Sequence, residues 1–432
     1  MHIYKAFPSE TFFKLVAISI GVAVTCLMCN IVDYSFFITL PRRTKDKFAK
    51  TDKIPEKVFS GRNNNFELQS SYLVSLNNPI YDTNRDIRIL RKETLKNIVV
   101  EHEQDCPDKQ FLIYKCSTQL CGGLGDRERG IVSSFLLALL TNRTFVIYMT
   151  KPCELENFIG PFFYNWTICK KYIETVQPEN ISEHYHICGQ RLDSFYTNIP
   201  NMNFKEVWTH QIVIMHTNVY NHLMNNIKLH KDIQRQMNWI INMTNPEIVH
   251  LVLHTLFKPR QRLNEQLFEL VKNNLNGRHL VCSHIRIGKN PSIPGDLNLS
   301  EGKPKTQTIY SFLKRFKNPQ KYALYIASDS NEVRHDIMSN FKNAFNVNRT
   351  IVHVDRLKNV YKTTNVCEGL FTAILEQQML SLCDTLLITR SNFGTIAAYM
   401  RGSSENLFLY QTDIDQVFST NLTNIQIIYR FF

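Results

Sequence analysis

Between His279 and Tyr410, short apolar segments alternate with helix-period segments, and this constrains the fold more than any other feature. Strands are expected over His279–Ile287, Tyr322–Ala327, Thr350–Val354, Thr385–Thr389 and Leu407–Tyr410. Helices are expected over Lys305–Phe316, Asn331–Phe341, Asn365–Leu382 and Phe393–Met400. Glu368 lies three residues after Asn365, as in a helix capping box. Parallel strands need long crossovers, which helices supply, so the alternation predicts a doubly wound parallel sheet. A second unit lies upstream: a strand over Gln110–Lys115, a glycine turn, a helix over Asp126–Leu140 and a strand over Thr144–Met149. Two such units predict an α/β protein whose two Rossmann-like halves face a cleft. Between them, about 150–245, the reading is irregular, with a strand near Ile212–Met215. Residues 245–276 read as two helices broken at Pro259.

The N-terminus constrains the compartment. Phe12 to Val32 is apolar apart from Lys14, two hydroxyls and Asn30, which barely meets the roughly 20 residues a span needs. No small-x-small cleavage site precedes Asp33, so an uncleaved signal anchor is favoured over a signal peptide. Arg42, Arg43, Lys45, Lys47 and Lys50 follow the segment and argue for a cytosolic C-terminal side. Asn-x-Ser/Thr acceptors at Asn142, Asn165, Asn180, Asn242, Asn298, Asn348 and Asn421, and the cysteines after the segment, argue for a lumenal one. Long domains translocate largely regardless of flanking charge, which favours the lumen. Of 11 Cys, all but Cys26 and Cys29 lie beyond the segment, an odd set that leaves a thiol over after pairing. The expected organisation is a tail (1–11), an anchor (12–32), a polar stem (33–104, with a helix at Asp86–Val100), an N-terminal half (105–277) and a C-terminal half (278–432). A formal charge of +12 favours anionic partners, but the positives are spread along the chain, which argues against nucleic acid.

Four segments could carry chemistry. Cys121-Gly122-Gly123-Leu124-Gly125-Asp126-Arg127 follows a strand and opens a helix, where backbone N–H groups favour an anion. Its third fingerprint position is Glu128 rather than glycine, so it is not a dinucleotide motif; a ligand-free tight turn is an equal reading. In Ser283-His284-Ile285-Arg286-Ile287-Gly288-Lys289, His284 and Arg286 share a strand face, and Arg offers a fork for phosphate. Asp329, in Ala327-Ser328-Asp329-Ser330, could bind a ribose or base edge, while Asp329 or Ser330 could cap the next helix. Arg390-Ser391-Asn392-Phe393-Gly394-Thr395 precedes a helix whose first N–H groups could hold a diphosphate. Ligands in open parallel sheets bind off the strands' carboxyl ends, where the last three of these lie. Asp413-Ile414-Asp415 reads as a polar turn rather than a metal site. Histidines 210, 216, 222 and 230 read as solvated helix faces, so no metal is expected.

The Gly-Gly-Leu-Gly-Asp-Arg turn and Ile131–Thr144 resemble the N-terminal domain of xyloglucan-type and nodulation-type fucosyltransferases. The His-Ile-Arg-Ile-Gly segment is similar to their His-x-Arg donor motif. The Ala-Ser-Asp-Ser and Ser-Asn-Phe-Gly segments resemble later donor motifs shared with α1,6- and protein O-fucosyltransferases. The resemblance spans about 105–175 and 278–402. It implies a GT-B fold, a Golgi signal anchor, no metal, and inverting transfer of fucose from GDP-fucose to a glycan or glycoprotein. By it, Arg286 is catalytic, holding the β-phosphate and stabilising the leaving diphosphate. His284 lies against the phosphates or ribose, and Asp329 meets guanine or ribose. Ser391, Asn392, Phe393 and Gly394 cradle the diphosphate, and Gly122, Gly123, Gly125, Asp126 and Arg127 line the cleft by the fucose. The acceptor base is open among Asp126, Glu128, Glu154 and Glu156. Two positions depart from the family: Ile287 stands where the α1,6 enzymes carry a second Arg, and Lys289 where an acid often follows.

Two other classes fit parts of the chain. A sulfotransferase would need basic residues in the first strand-to-helix loop, and Cys121–Asp126 has none. A membrane-anchored carbohydrate-binding scaffold of the same fold, without catalysis, would keep the architecture and depart at positions such as Ile287 and Lys289.

Overall fold

The computed structural model describes residues 102–117, 121–186, 194–288, 306–349, 354 and 366–428. The anchor, the stem with its 86–100 helix, Cys188, Lys289 and Asn298 lie outside them. Among the described residues no helix is long and apolar enough to cross a membrane.

Two main sheets carry the chain. The first is fully parallel, in the order β2-β1-β5-β4: β1 (Phe111–Cys116), β2 (Thr144–Met149), β4 (Ile181–His186) and β5 (Ile212–Thr217). The second has six strands in the order β12-β11-β10-β7-β8-β9. In it β7 (His279–Ile285), β8 (Tyr322–Ser328), β9 (Ala344–Phe345), β10 (Thr385–Ile388) and β11 (Leu407–Gln411) are parallel. The edge strand β12 (Gln416–Ser419) returns antiparallel to β11. A short antiparallel pair, β3 (Ile159–Pro161) with β6 (Phe257–Pro259), ties the middle of the chain together.

Periodicity locates the helices closely. α1 (Leu124–Leu140) packs Ile131, Phe135, Ala138 and Leu139 onto β1, β2 and β5. α2 (Asn245–Leu256) opens with a capping box, Thr244 accepting from the Glu247 N–H, with Pro246 in its first turn. α3 (Gln261–Asn274) follows β6, so the expected break at Pro259 is there. The second sheet is flanked by α4 (Thr306–Leu313), α5 (Asn331–Asn340), α6 (Val366–Ser381) and α7 (Asn392–Arg401). α7 ends at Gly402 in the left-handed region (φ 69°), a C-cap suited to glycine. The expected strand at 350–354 falls almost wholly outside the described residues. The described partner of β8 at that edge is β9, too short to leave a periodic signal.

Among the described residues four disulfides join Cys106–Cys169, Cys116–Cys121, Cys153–Cys367 and Cys282–Cys383. They use eight of the nine cysteines beyond the apolar segment. The Cys153–Cys367 bridge spans 214 residues and ties the loop after β2 to the start of α6.

Candidate functional site

The site is assembled where β7, β8 and β10 end and where α1 and α7 begin. Alternation along β7 brings His284 and Arg286 to one side of its carboxyl end. The backbone there is locked to β10, with the Arg286 N–H donating to Thr389 Oγ1 (2.8 Å). The Arg286 guanidinium forms an ion pair with Asp329 at the end of β8. That carboxylate also accepts from the Ile287 N–H (2.8 Å) and the Gly288 N–H (2.9 Å). Arg286 is thus aimed and largely shielded, its side chain 19% exposed. Asp329, expected to meet guanine or ribose, is engaged by the backbone after β7 and by Arg286. Of the two cap candidates, Ser330 caps α5.

His284 is buried, and burial together with the Arg286 charge pushes its pKa down to about 3. The ring is therefore neutral at physiological pH. Its Nδ1 has no hydrogen-bond partner among the described residues. It faces Gly394, where a Cβ would lie 2.7 Å from Nδ1, and Phe393, whose ring centroid is 5.2 Å away. A buried polar atom left in this state is the kind of feature a ligand explains.

The glycine turn reaches the same point from the other sheet. Cys116–Cys121 closes the chain just after β1, and Gly122 takes φ 79°. Asp126 Oδ2 accepts from the Gly123 N–H (3.1 Å), capping α1. Asp126 Oδ1 accepts from Asn392 Nδ2 (2.6 Å), in the first turn of α7. Gly125 makes this meeting possible, since a Cβ there would lie 2.6 Å from the Asn392 carbonyl carbon. The two helix starts are therefore in backbone contact. Asp126, expected as a base, has both oxygens engaged and acts as a brace.

Arg127 departs furthest from expectation. It is fully buried, and its guanidinium donates to the carbonyls of Gly122 (2.9 Å), Lys151 and Val354 (3.0 Å). It ties the glycine turn to two distant loops from a fully buried position. Glu128, one turn into α1, accepts from Gln377 Nε2 of α6 (2.8 Å), and burial raises its pKa to about 8. Of the other two base candidates, Glu156 pairs with Lys170 and Glu154 is exposed.

Among the described residues there is no cluster of three metal-ligating side chains. Asp415, in the Asp-x-Asp turn, accepts from Thr308 (2.8 Å) and Tyr410 (3.0 Å). His216 and His230 are buried, in β5 and after a short helix, not on solvated helix faces as expected. The acceptors Asn142, Asn165, Asn180, Asn242, Asn348 and Asn421 are all exposed.

Strand carboxyl ends, a neutral buried imidazole, a shielded guanidinium and two abutting helix N-termini thus converge at one point of an α/β fold, off the strand ends where ligands bind in open parallel sheets. No protein-family model and no curated protein matches the chain in sequence. Its fold matches an Arg-to-Lys mutant of Arabidopsis thaliana FUT1 in complex with GDP: 16% identity, 79% of each chain covered, TM-score 0.52. A fucosyltransferase NodZ from Bradyrhizobium is 13% identical over 72% of this chain and 99% of its own, with a TM-score of 0.44. POFUT1 in complex with GDP is 12% identical over 70% and 98%, with a TM-score of 0.39. The resemblance drawn from the motifs is thus borne out as a likeness of fold.

Proposed function

We propose that this chain is an inverting glycosyltransferase of the GT-B type that transfers fucose from GDP-fucose to a glycan acceptor. The observation that carries the reading is the joining of Arg286 and His284 at the end of β7 to the start of α7 and, through Asp126 and Asn392, to the glycine turn. The shared fold with a GDP-bound protein supports it.

In this reading the diphosphate sits at the first turn of α7, where N–H groups have no partner within the helix. Arg286 faces the β-phosphate and Asp329 holds it there. As the acceptor hydroxyl oxygen bonds to the fucose anomeric carbon, the bond to the phosphate oxygen breaks, its electron pair leaves with GDP, and the hydroxyl proton is released to water. Arg286 and the α7 N-terminus stabilise that charge from fixed positions, without a metal. His284 Nδ1 gains its missing partner from the nucleotide. The lumenal, anchored, Golgi setting is part of the proposal, supported by the four disulfides and the exposed acceptor asparagines.

Titrating the purified chain with GDP, GDP-fucose and GDP-mannose tests the reading. GDP binding with a preference for GDP-fucose and transfer to a glycan supports it. No GDP binding ends it. GDP binding without hydrolysis or transfer identifies a non-catalytic carbohydrate-binding relative. A shift in gel mobility after glycosidase treatment is expected for the lumenal topology, and an unshifted band counts against it.

A further inference from the structure

Among the described residues the first sheet is covered unevenly, and the uncovered part is not a generic solvated face. α1 covers one face of it. On the other, Phe111, Ile113, Val146, Ile212 and Ile214 are buried beneath the Cys106–Cys169 region. Toward the strands' carboxyl ends the same face changes character. Residue alternation and the strand register place Tyr148 of β2, Lys115 of β1, His216 of β5 and Tyr185 of β4 in one row across all four strands. Glu183 stands one step back on β4.

These side chains are organised. The Tyr185 ring lies flat on the His216 ring, with centroids 4.2 Å apart and planes within 4°. Its hydroxyl donates to Glu183 Oε2 (2.6 Å), while Lys115 Nζ donates to Glu183 Oε1 (2.9 Å). Tyr185 is nonetheless 55% exposed, so one ring face is pinned by the imidazole and the other meets solvent. Lys115 and Glu183 cancel each other's charge, and burial lowers the pKa of His216, leaving its ring neutral. The surface is therefore flat, aromatic and uncharged overall, with a carboxylate and an ammonium flanking the ring.

That combination suits one ligand chemistry. An anion, a nucleic acid or an acidic membrane would need net positive charge here. A neutral pyranose offers an apolar C–H face for the ring, and vicinal hydroxyls that donate to Glu183 and accept from Lys115. Two hydrogen bonds and a stack hold the platform before any ligand arrives, which lowers the ordering cost of binding. Its place also fits: Lys115 adjoins Cys116, whose disulfide partner Cys121 opens the glycine turn. We propose that the Tyr185–His216–Glu183–Lys115 surface is a carbohydrate platform that binds a neutral pyranose unit of the acceptor glycan, remote from the transferred fucose. This rests on the transferase reading for the word acceptor, but not for the binding.

The full chain, saturated with GDP, is applied to an array of neutral pyranose oligosaccharides, with GDP affinity measured separately by calorimetry. Tyr185→Ala is expected to weaken retention about tenfold, the scale of a lost aromatic stack. Tyr185→Phe, which keeps the ring face, should stay within about threefold, and GDP affinity should not change in either variant. If wild type binds GDP and retains no glycan, or if Tyr185→Ala retains glycan as wild type does, the platform is refuted while the donor site stands. If glycan is retained through Tyr185 but GDP does not bind, the platform stands and the transferase reading falls. If Tyr185→Ala instead turns a dimer into a monomer in light scattering with glycan retention unchanged, the face joins two copies and the proposal is overturned.

Discussion

Two strand-to-helix turns meet in this molecule, and they spend their polar groups differently. At the start of α1, Asp126 caps the helix with one oxygen and grips Asn392 with the other, while Arg127 gives its donors to three backbone carbonyls. At the start of α7, the side chain of Ser391 makes no capping bond, and Gly394 leaves room beside a neutral, buried His284. Both turns follow a parallel strand and both contain glycine, so a pattern search scores them alike. The first is consumed in holding the molecule together; the second leaves a buried imidazole nitrogen unpaired beside its glycine. Glycine in a strand-to-helix turn signals close backbone approach, and only the surroundings decide whether what approaches is a ligand or another helix.

The contrast can be broken experimentally, most strongly at Arg286. Arg286→Ala should lower the turnover of GDP-fucose by roughly 10²–10³, or about 2.7–4 kcal/mol, the scale of a lost transition-state donor. Activity within twofold of wild type would remove it from the second turn's machinery. Gly125→Ala inserts a methyl group against the Asn392 backbone and should cost about 1–3 kcal/mol as overpacking. Thermal stability and GDP affinity should fall together, because the clash moves α1 and α7 apart; unchanged values for both would mean the turns are not in contact. Asp126→Asn separates brace from base. A brace loses about 1 kcal/mol of hydrogen bonding, seen as a few-fold weaker GDP binding. A base would lose 10² or more in turnover with GDP affinity intact.

The last effect is a slope. Burial raises the Glu128 pKa above the ordinary 4.5 to about 8, so the folded chain holds this proton more tightly than the unfolded one. Its contribution is complete below pH 4.5 and is lost as pH rises toward 8. Glu128→Gln should therefore flatten the decline in stability across that window, measured by denaturant midpoints at several pH values. An unchanged slope would mean that Glu128 does not carry it.

Much of this was legible before any coordinates. The strands and helices of the second sheet follow from period-2 and period-3.6 patterns in segments buried on one or both faces. β4 escaped because Ile181–His186 reads Ile-Ser-Glu-His-Tyr-His and contains no apolar run. It is an edge strand with most of its side chains only partly buried, so burial imposed little hydrophobic signal on it. The placing of His284 and Arg286 was readable from alternation along one strand. The uses of Arg127, Asp126 and Asp329 were not, because their partners lie up to 266 residues away.

The amino-acid sequence by itself determined the α/β class, the parallel second sheet and which residue types stand at its strand ends, because those depend on local periodicity and local backbone preference. Tertiary structure alone decided which cations and carboxylates are spent inside the molecule and which face outward. A guanidinium looks the same in any sequence. Whether it braces three carbonyls, as Arg127 does, or pairs with a carboxylate, as Arg286 does, depends on what the rest of the chain packs around it once burial has removed the water.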